Sequence, residues 1–289
     1  MSQIAHLPIR WSSLSRFEQS PAHALHAALH GSDPTPAMKL GSAAHAAAFE
    51  PHRLRIYTGK TRRGKEWDAF KVAQPADAVI VNVREHTIAQ HVAAALRAAD
   101  VARVDLDGVT PLPLLFGRGV EVERNIQWTR HDRACSSTPD ARLPGQWVAD
   151  LKCARSGQPS RFVRTATWAG YHTQLAFYQE ADAAELGLPA PQARLFSVVV
   201  EPFAPFVVTT YELDAYAIAA GAQKITEWWN RLRDCEATDH WPGYVQTIAT
   251  FTADDPELAA GPLGGFEADE PANDGDADEE PQQIDWSAA

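Results

Sequence analysis

Two periodicities divide the chain. Pro21–His30 and the Ala-rich Gly41–Glu50 (GSAAHAAAFE) favour helix, and Pro51 ends the second segment. Glu66–Val72 predicts another helix behind the basic run Lys60–Lys65 (KTRRGK). Ile88, Val92, Leu96 and Ala99 recur every three or four residues, so Glu85–Ala99 predicts a helix with one apolar face. From residue 120 the period shortens to two. Val120–Trp128 (VEVERNIQW) and Gln146–Lys152 (QWVADLK) alternate polar with apolar residues and predict strands. A helix is expected over Ala169–Glu185. Ala193–Val200 and Phe206–Leu213 are apolar, β-branched runs that suit two strands joined by a Pro-containing turn. Asp214–Arg233 predicts an amphipathic helix burying Ile218, Ile225, Trp229 and Leu232. Adjacent residues cannot share one helix stripe, so one of Trp228 and Trp229 is expected outside the core. No internal repeat is visible. Helices first, then strands with helices between them, indicate an α/β or α+β domain around a central sheet.

The chemistry concentrates between two of these strands. Pro139–Asp140 is followed after nine residues by Asp150–Leu151–Lys152. Alternate residues of a strand share a face, roughly 7 Å apart, so Asp150 and Lys152 point one way and Trp147, Ala149 and Leu151 the other. Charges on a half-buried strand are costly unless used or paired. Asp140 can bring a second carboxylate beside Asp150, and two such groups resist joint ionisation unless a cation sits between them. Hard carboxylate oxygens select Mg²⁺, with Mn²⁺ as the alternative. A metal, a lysine and two carboxylates form a minimal set for phosphodiester cleavage, because one positioned general base supplies only about 10²–10⁴-fold. The plainer alternative, a surface ion pair between Asp150 and Lys152, stays open at this point.

Charge changes the picture of partners. The 289 residues carry a formal charge of −11, but twelve of the 37 acids lie in residues 251–289, and the last base is Arg233. Residues 1–250 therefore hold 25 acids against 26 bases, close to neutral, and a local basic face there could bind a polyanion. The acidic segment, rich in Gly, Pro and Ala, is expected to be disordered, giving a division into a 1–250 domain and a 251–289 tail. With 45% hydrophobic residues the body can form a core, and no apolar run approaches the ~20 residues of a membrane span. Residues 1–10 lack a secretory layout, and Cys135, Cys153 and Cys235 are too few and scattered for a disulfide framework or a cysteine-ligated cluster. A cytoplasmic protein is expected.

The motifs resemble the PD-(D/E)xK nuclease superfamily, and over residues 38–246 they are similar to the RecE-type exonucleases of phages and prophages (exonuclease VIII). The resemblance is carried in order by LGSAAHAAAFEP (Leu40–Pro51), KTRRGKEWDAF (Lys60–Phe70), EVERNIQW (Glu121–Trp128), PDARL (Pro139–Leu143), WVADLKCA (Trp147–Ala154), GYHTQLAFY (Gly170–Tyr178) and DCEATDHWPGY (Asp234–Tyr244). The joint presence of GxxxH at Gly41–His45, PD…DxK, and QxxxY at Gln174–Tyr178 makes it specific. It implies a restriction-endonuclease-like core, a central mixed sheet flanked by helices. It also implies that Asp140, Asp150, His45 and the Leu151 carbonyl hold the catalytic metal, and that Lys152 positions or activates the attacking water. Glu123 would support the metal or its waters. Gln174 and Tyr178 would border the site and contact DNA. By their own charge Arg62, Arg63 and Lys65 form either a solvated loop or a phosphate-contacting arm. Thr138 stands where relatives often carry an arginine, which puts that phosphate contact in doubt. The expected activity is Mg²⁺-dependent 5′-to-3′ digestion of double-stranded DNA ends, leaving 3′ overhangs for recombination. A ring-shaped homo-oligomer and a single-strand annealing protein (RecT-like) as partner are implied with it. A PD-(D/E)xK endonuclease, a single-strand nuclease, and a binding protein whose site has lapsed are the alternatives.

Overall fold

The computed structural model describes residues 4–31 and 34–244. The 251–289 tail and its boundary lie outside the described residues. A short helix α1 (Trp11–Leu14) and α2 (Pro21–His30) open the chain, followed by α3 (Pro36–Phe49), β1 (Leu54–Ile56), α4 (Lys65–Val72), β2 (Val79–Val81) and α5 (Val83–Ala102). Then come β3 (Glu121–Val122), β4 (Ile126–Arg130), β5 (Arg133–Ser137), β6 (Ala141–Leu143) and β7 (Trp147–Cys153). The helices α6 (Pro159–Trp168) and α7 (Tyr171–Glu185), strands β8 (Arg194–Val200) and β9 (Val208–Glu212), and α8 (Ala215–Thr238) complete the body.

The central sheet has the order β3-β6-β7-β8-β9; β7 and β8 run parallel and the other pairs antiparallel, so the sheet is mixed. Helices cover both faces. On one face Ala149 and Leu151 of β7, with Phe196, Val198 and Val200 of β8, pack on α3 and α5. Five buried alanines of α3 carry no bulk beyond Cβ, which lets that helix lie close to α5 and β7. On the other face Val148 and Leu195 meet Leu175 of α7. A buried guanidinium fixes the layers: Arg142 of β6 binds Asp182 (2.9 Å), Glu121 and Glu185, and Asp182 also accepts from the Gly145 N–H at 3.0 Å. The β6–β7 hairpin is thereby tied to α7.

Two expectations change. Residues 120–128 are not one strand: β3 pairs with β6 in the central sheet, whereas β4 pairs with β5 in a separate hairpin. The chain leaves the strand conformation at Glu123, whose φ is 47°. Trp228 and Trp229 are both buried, because α8 packs on α7 along one side and on α1, α2 and the turn at Ser15–Glu18 along another. A helix with two covered faces can bury consecutive residues. The Trp228 indole N–H reaches Glu18 at 3.1 Å. Among the described residues no helix is long and apolar enough to cross a membrane.

Candidate active site

The site begins where β6 falls short. Its register with β7 stops at Ala141 opposite Ala149, so the β6 side of Leu151 has no strand partner. Side chains serve those peptide groups instead. The Leu151 N–H donates to Asp140 Oδ2 at 2.5 Å, and the Leu151 carbonyl lies 3.0 Å from His45 Nε2. The imidazole's other nitrogen, Nδ1, is 3.4 Å from both Asp140 Oδ1 and Glu123 Oε1. His45, Glu123 and Asp140 thus bring their ligand atoms within 4.8 Å of one another. Glu123 joins them through its positive φ, a conformation costly for a non-glycine residue. The Glu123 N–H donates to the Asp140 carbonyl at 3.1 Å.

Asp150 and Lys152 share the opposite face of β7 from Leu151. Lys152 Nζ is 2.7 Å from Asp150 Oδ2, donates to Gln174 Oε1 at 2.8 Å, and lies 4.6 Å from the centre of the Tyr171 ring. Gln174 in turn donates to the Tyr178 hydroxyl at 2.9 Å. The residues expected at 45, 123, 140 and 151 therefore form one bonded group and those at 150, 152, 174 and 178 a second, coupled through the charges of Asp140, Asp150 and Lys152. Arg62, Arg63 and Lys65 join neither. Arg62 is paired with Glu85 and lies over the Trp67 ring, while Arg63 and Lys65 are exposed. Tyr171 was not a predicted site residue; its position three residues before Gln174 on one helix face was the available signal.

Charge is crowded here. Asp150 is 1% exposed, and burial together with the Asp140 charge pushes its carboxyl up to about 6, against the pull of Lys152. Burial also works against Asp140, but His45, Lys152 and the Leu151 N–H outweigh it and hold that carboxyl low. Burial should neutralise His45, yet Asp140 and Glu123 drive it well above its ordinary value, so it sits as an imidazolium. Lys152, despite burial, stays an ammonium beside Asp150 and Asp140.

This donor set fits a hard divalent cation. The buried Asp150 carboxylate meets Lys152 Nζ 2.7 Å from Oδ2, and its Oδ1 has no hydrogen-bond donor among the described residues. Protonated His45 meanwhile fills a space bounded by two carboxylates and a carbonyl, where a cation is the natural occupant; ligation would require it to release a proton.

Comparison with known proteins agrees on the fold. Residues 11–253 match the family model described as a PDDEXK-like domain of unknown function (DUF3799). No curated protein matches. One solved crystal structure, of a protein named "Putative exonuclease" from Eubacterium rectale, is 13% identical with a TM-score of 0.54, covering 88% of this chain and 93% of that one. At that identity the likeness is one of fold. With the family match running from α1 to beyond α8, the chain belongs to the PDDEXK-like family.

Proposed function

We propose that this protein is a divalent-metal-dependent deoxyribonuclease, acting as a 5′-to-3′ exonuclease on double-stranded DNA ends and leaving 3′ overhangs for recombination. The observation that carries the reading is the buried Asp150 carboxylate, whose Oδ1 has no hydrogen-bond donor among the described residues, set beside the His45–Glu123–Asp140 cluster and a charged lysine. Asp140, Asp150, His45 and the Leu151 carbonyl would hold the cation, with Glu123 supporting it. Their chemistry favours Mg²⁺ or Mn²⁺. The bound ion would supply Lewis-acid polarisation of the phosphate and a more acidic water.

The chain's own part is positioning. Lys152 enters as an ammonium, so it donates: it holds the attacking water and offsets negative charge building on the phosphate oxygens. Gln174 and Tyr171 fix its direction. Water attacks phosphorus as the P–O ester bond breaks; the water's proton passes to solvent, and the leaving oxygen takes one up from solvent. Exonuclease polarity, a ring-shaped assembly and an annealing partner rest on the resemblance to RecE-type enzymes. The name of the Eubacterium rectale protein is in keeping with exonuclease action and says nothing of polarity.

The test is Mg²⁺-dependent digestion of end-labelled linear duplex and covalently closed circular duplex, by wild type and Asp150→Ala side by side. Linear DNA should be consumed from its ends, the circle spared, and the variant inactive. Cleavage of the circle would make the protein an endonuclease. No cleavage of either would leave a binding protein.

A further inference from the structure

The sheet face that carries Asp150 and Lys152 continues into a cavity of about 390 Å³ between α6, α7, β9 and the start of α8, a size typical of small-molecule sites. Strand register joins the two. Asp150, Ser197 and Tyr211 are partners across β7, β8 and β9, so their side chains leave the sheet on the same face. Ser197 and Tyr211 line the cavity. Tyr171 also lines it, and its ring is the one that lies 4.6 Å from Lys152 Nζ. A single aromatic ring thus borders both the ammonium and the cavity.

The cavity's chemistry suits a flat heteroaromatic group. Phe162 and Tyr211 stack at 4.8 Å with their planes 19° apart, and Tyr171 stands 6.1 Å from Phe162. Tyr216, 84% exposed, stands at the mouth. Ser197 is 2% exposed, and no described residue hydrogen-bonds its hydroxyl, which leaves one polar group free at the floor. No lysine or arginine lines the cavity among the described residues, and the carboxylates of Glu212 and Asp214 are taken up elsewhere, by Arg194 and by the Ala217 N–H at the start of α8. Cations lie outside instead. Arg161 and Arg164, on α6 beside Phe162, are exposed, and neither has an ion pair among the described residues.

We propose that this cavity receives one nucleobase of the strand being cut, drawn out of the duplex stack next to the scissile phosphate. The proposal deepens the nuclease reading and rests on it. The base enters between Tyr171, Phe162 and Tyr216, where ring stacking replaces the stacking lost in the duplex. Its edge faces the Ser197 hydroxyl, and its sugar-phosphate stays outside with Arg161 and Arg164. Any base can stack there, so the subsite adds grip without sequence preference.

The experiment uses duplexes with one abasic nucleotide stepped through the first four positions of the cut strand. Wild type should slow by about five-fold or more at one position, the loss of one base–aromatic stack. Ala166→Trp, whose indole would fill the cavity from α6, should digest intact duplex slowly and show no further penalty at any position. Tyr216→Ala removes an exposed wall without touching the core and should shrink the penalty, so the test does not depend on the tryptophan variant folding. Equal wild-type rates on every abasic duplex, or an undiminished penalty in both variants, overturn the subsite. Failure of wild type to digest intact duplex overturns the nuclease reading as well, and that control separates the two failures.

Discussion

Asp150 concentrates the tension in this site. Its carboxyl has a folded-state pKa of about 6 against an ordinary 3.8, and burial is the main cause. A group raised on folding favours the folded state below its unfolded pKa and loses that contribution as pH rises through the folded value. Asp150 therefore costs stability above about pH 6 in metal-free protein. Asp150→Asn should unfold at a higher temperature than wild type in EDTA at pH 7.5, with the gap closing towards pH 4. Millimolar Mg²⁺ or Mn²⁺ should raise the wild-type midpoint at pH 7.5 and leave the variant's unmoved. A wild type more stable than the variant in EDTA at pH 7.5 would contradict this account. Gln174→Met tests the grip on Lys152: kcat should fall about tenfold or more, since the lost contact orients a charge, and a rise in KM beside it would report the DNA contact that the resemblance implies. Spacing singles out Asp140, Asp150 and Lys152, and only the wider set of motifs separates them from a surface ion pair. Glu123 and Tyr171 were harder to see. Glu123 acts through a backbone conformation that alternation conceals, and Tyr171 acts through a ring face that no motif encodes.

Among the elements, what the sequence disclosed depended on length and on how many sides were covered. The long helices α5, α7 and α8 and the strands β7 and β8 announce themselves because each buries a full repeat of side chains, whereas β9, mostly half-buried, shows through its β-branched run. β1 and β2 have three residues each, too few for a period to register. α6 was missed because Val163, Thr165 and Thr167 are β-branched and Phe162 is its one fully buried side chain. Two glycines make opposite predictions about packing. A Cβ on Gly221 in α8 would come 2.7 Å from the His172 carbonyl of α7, so Gly221→Ala should lower stability by roughly 1–3 kcal/mol through overpacking. A Cβ on Gly41 in α3 would meet nothing within 4 Å, so Gly41→Ala should raise stability by roughly 0.5–1 kcal/mol through helix propensity. Thermal melts of the two variants check both signs.

At the scale of the molecule, the near neutrality of residues 1–250 matters more than the total of −11. A body with balanced charge can take up DNA through local cations, and its affinity should fall steeply as salt rises. Removing residues 251–289 should leave the unfolding midpoint and duplex cleavage unchanged; a marked rise in affinity at low salt would show that the acidic segment competes with DNA. The layered architecture was legible because the order of helical and alternating segments constrains it. The separate β4–β5 hairpin was not, since the exchange of partners occurs within one alternating run.

The early stop of β6 has one more consequence. Carrying its pairing with β7 two residues further would set Pro139 opposite Leu151. Proline has no N–H, so it cannot claim the Leu151 carbonyl for the ladder. The ring before Asp140 acts as a zip stop: it keeps the seam open beside His45 and the Leu151 carbonyl, and a residue with an amide hydrogen in its place would let the sheet close over that opening.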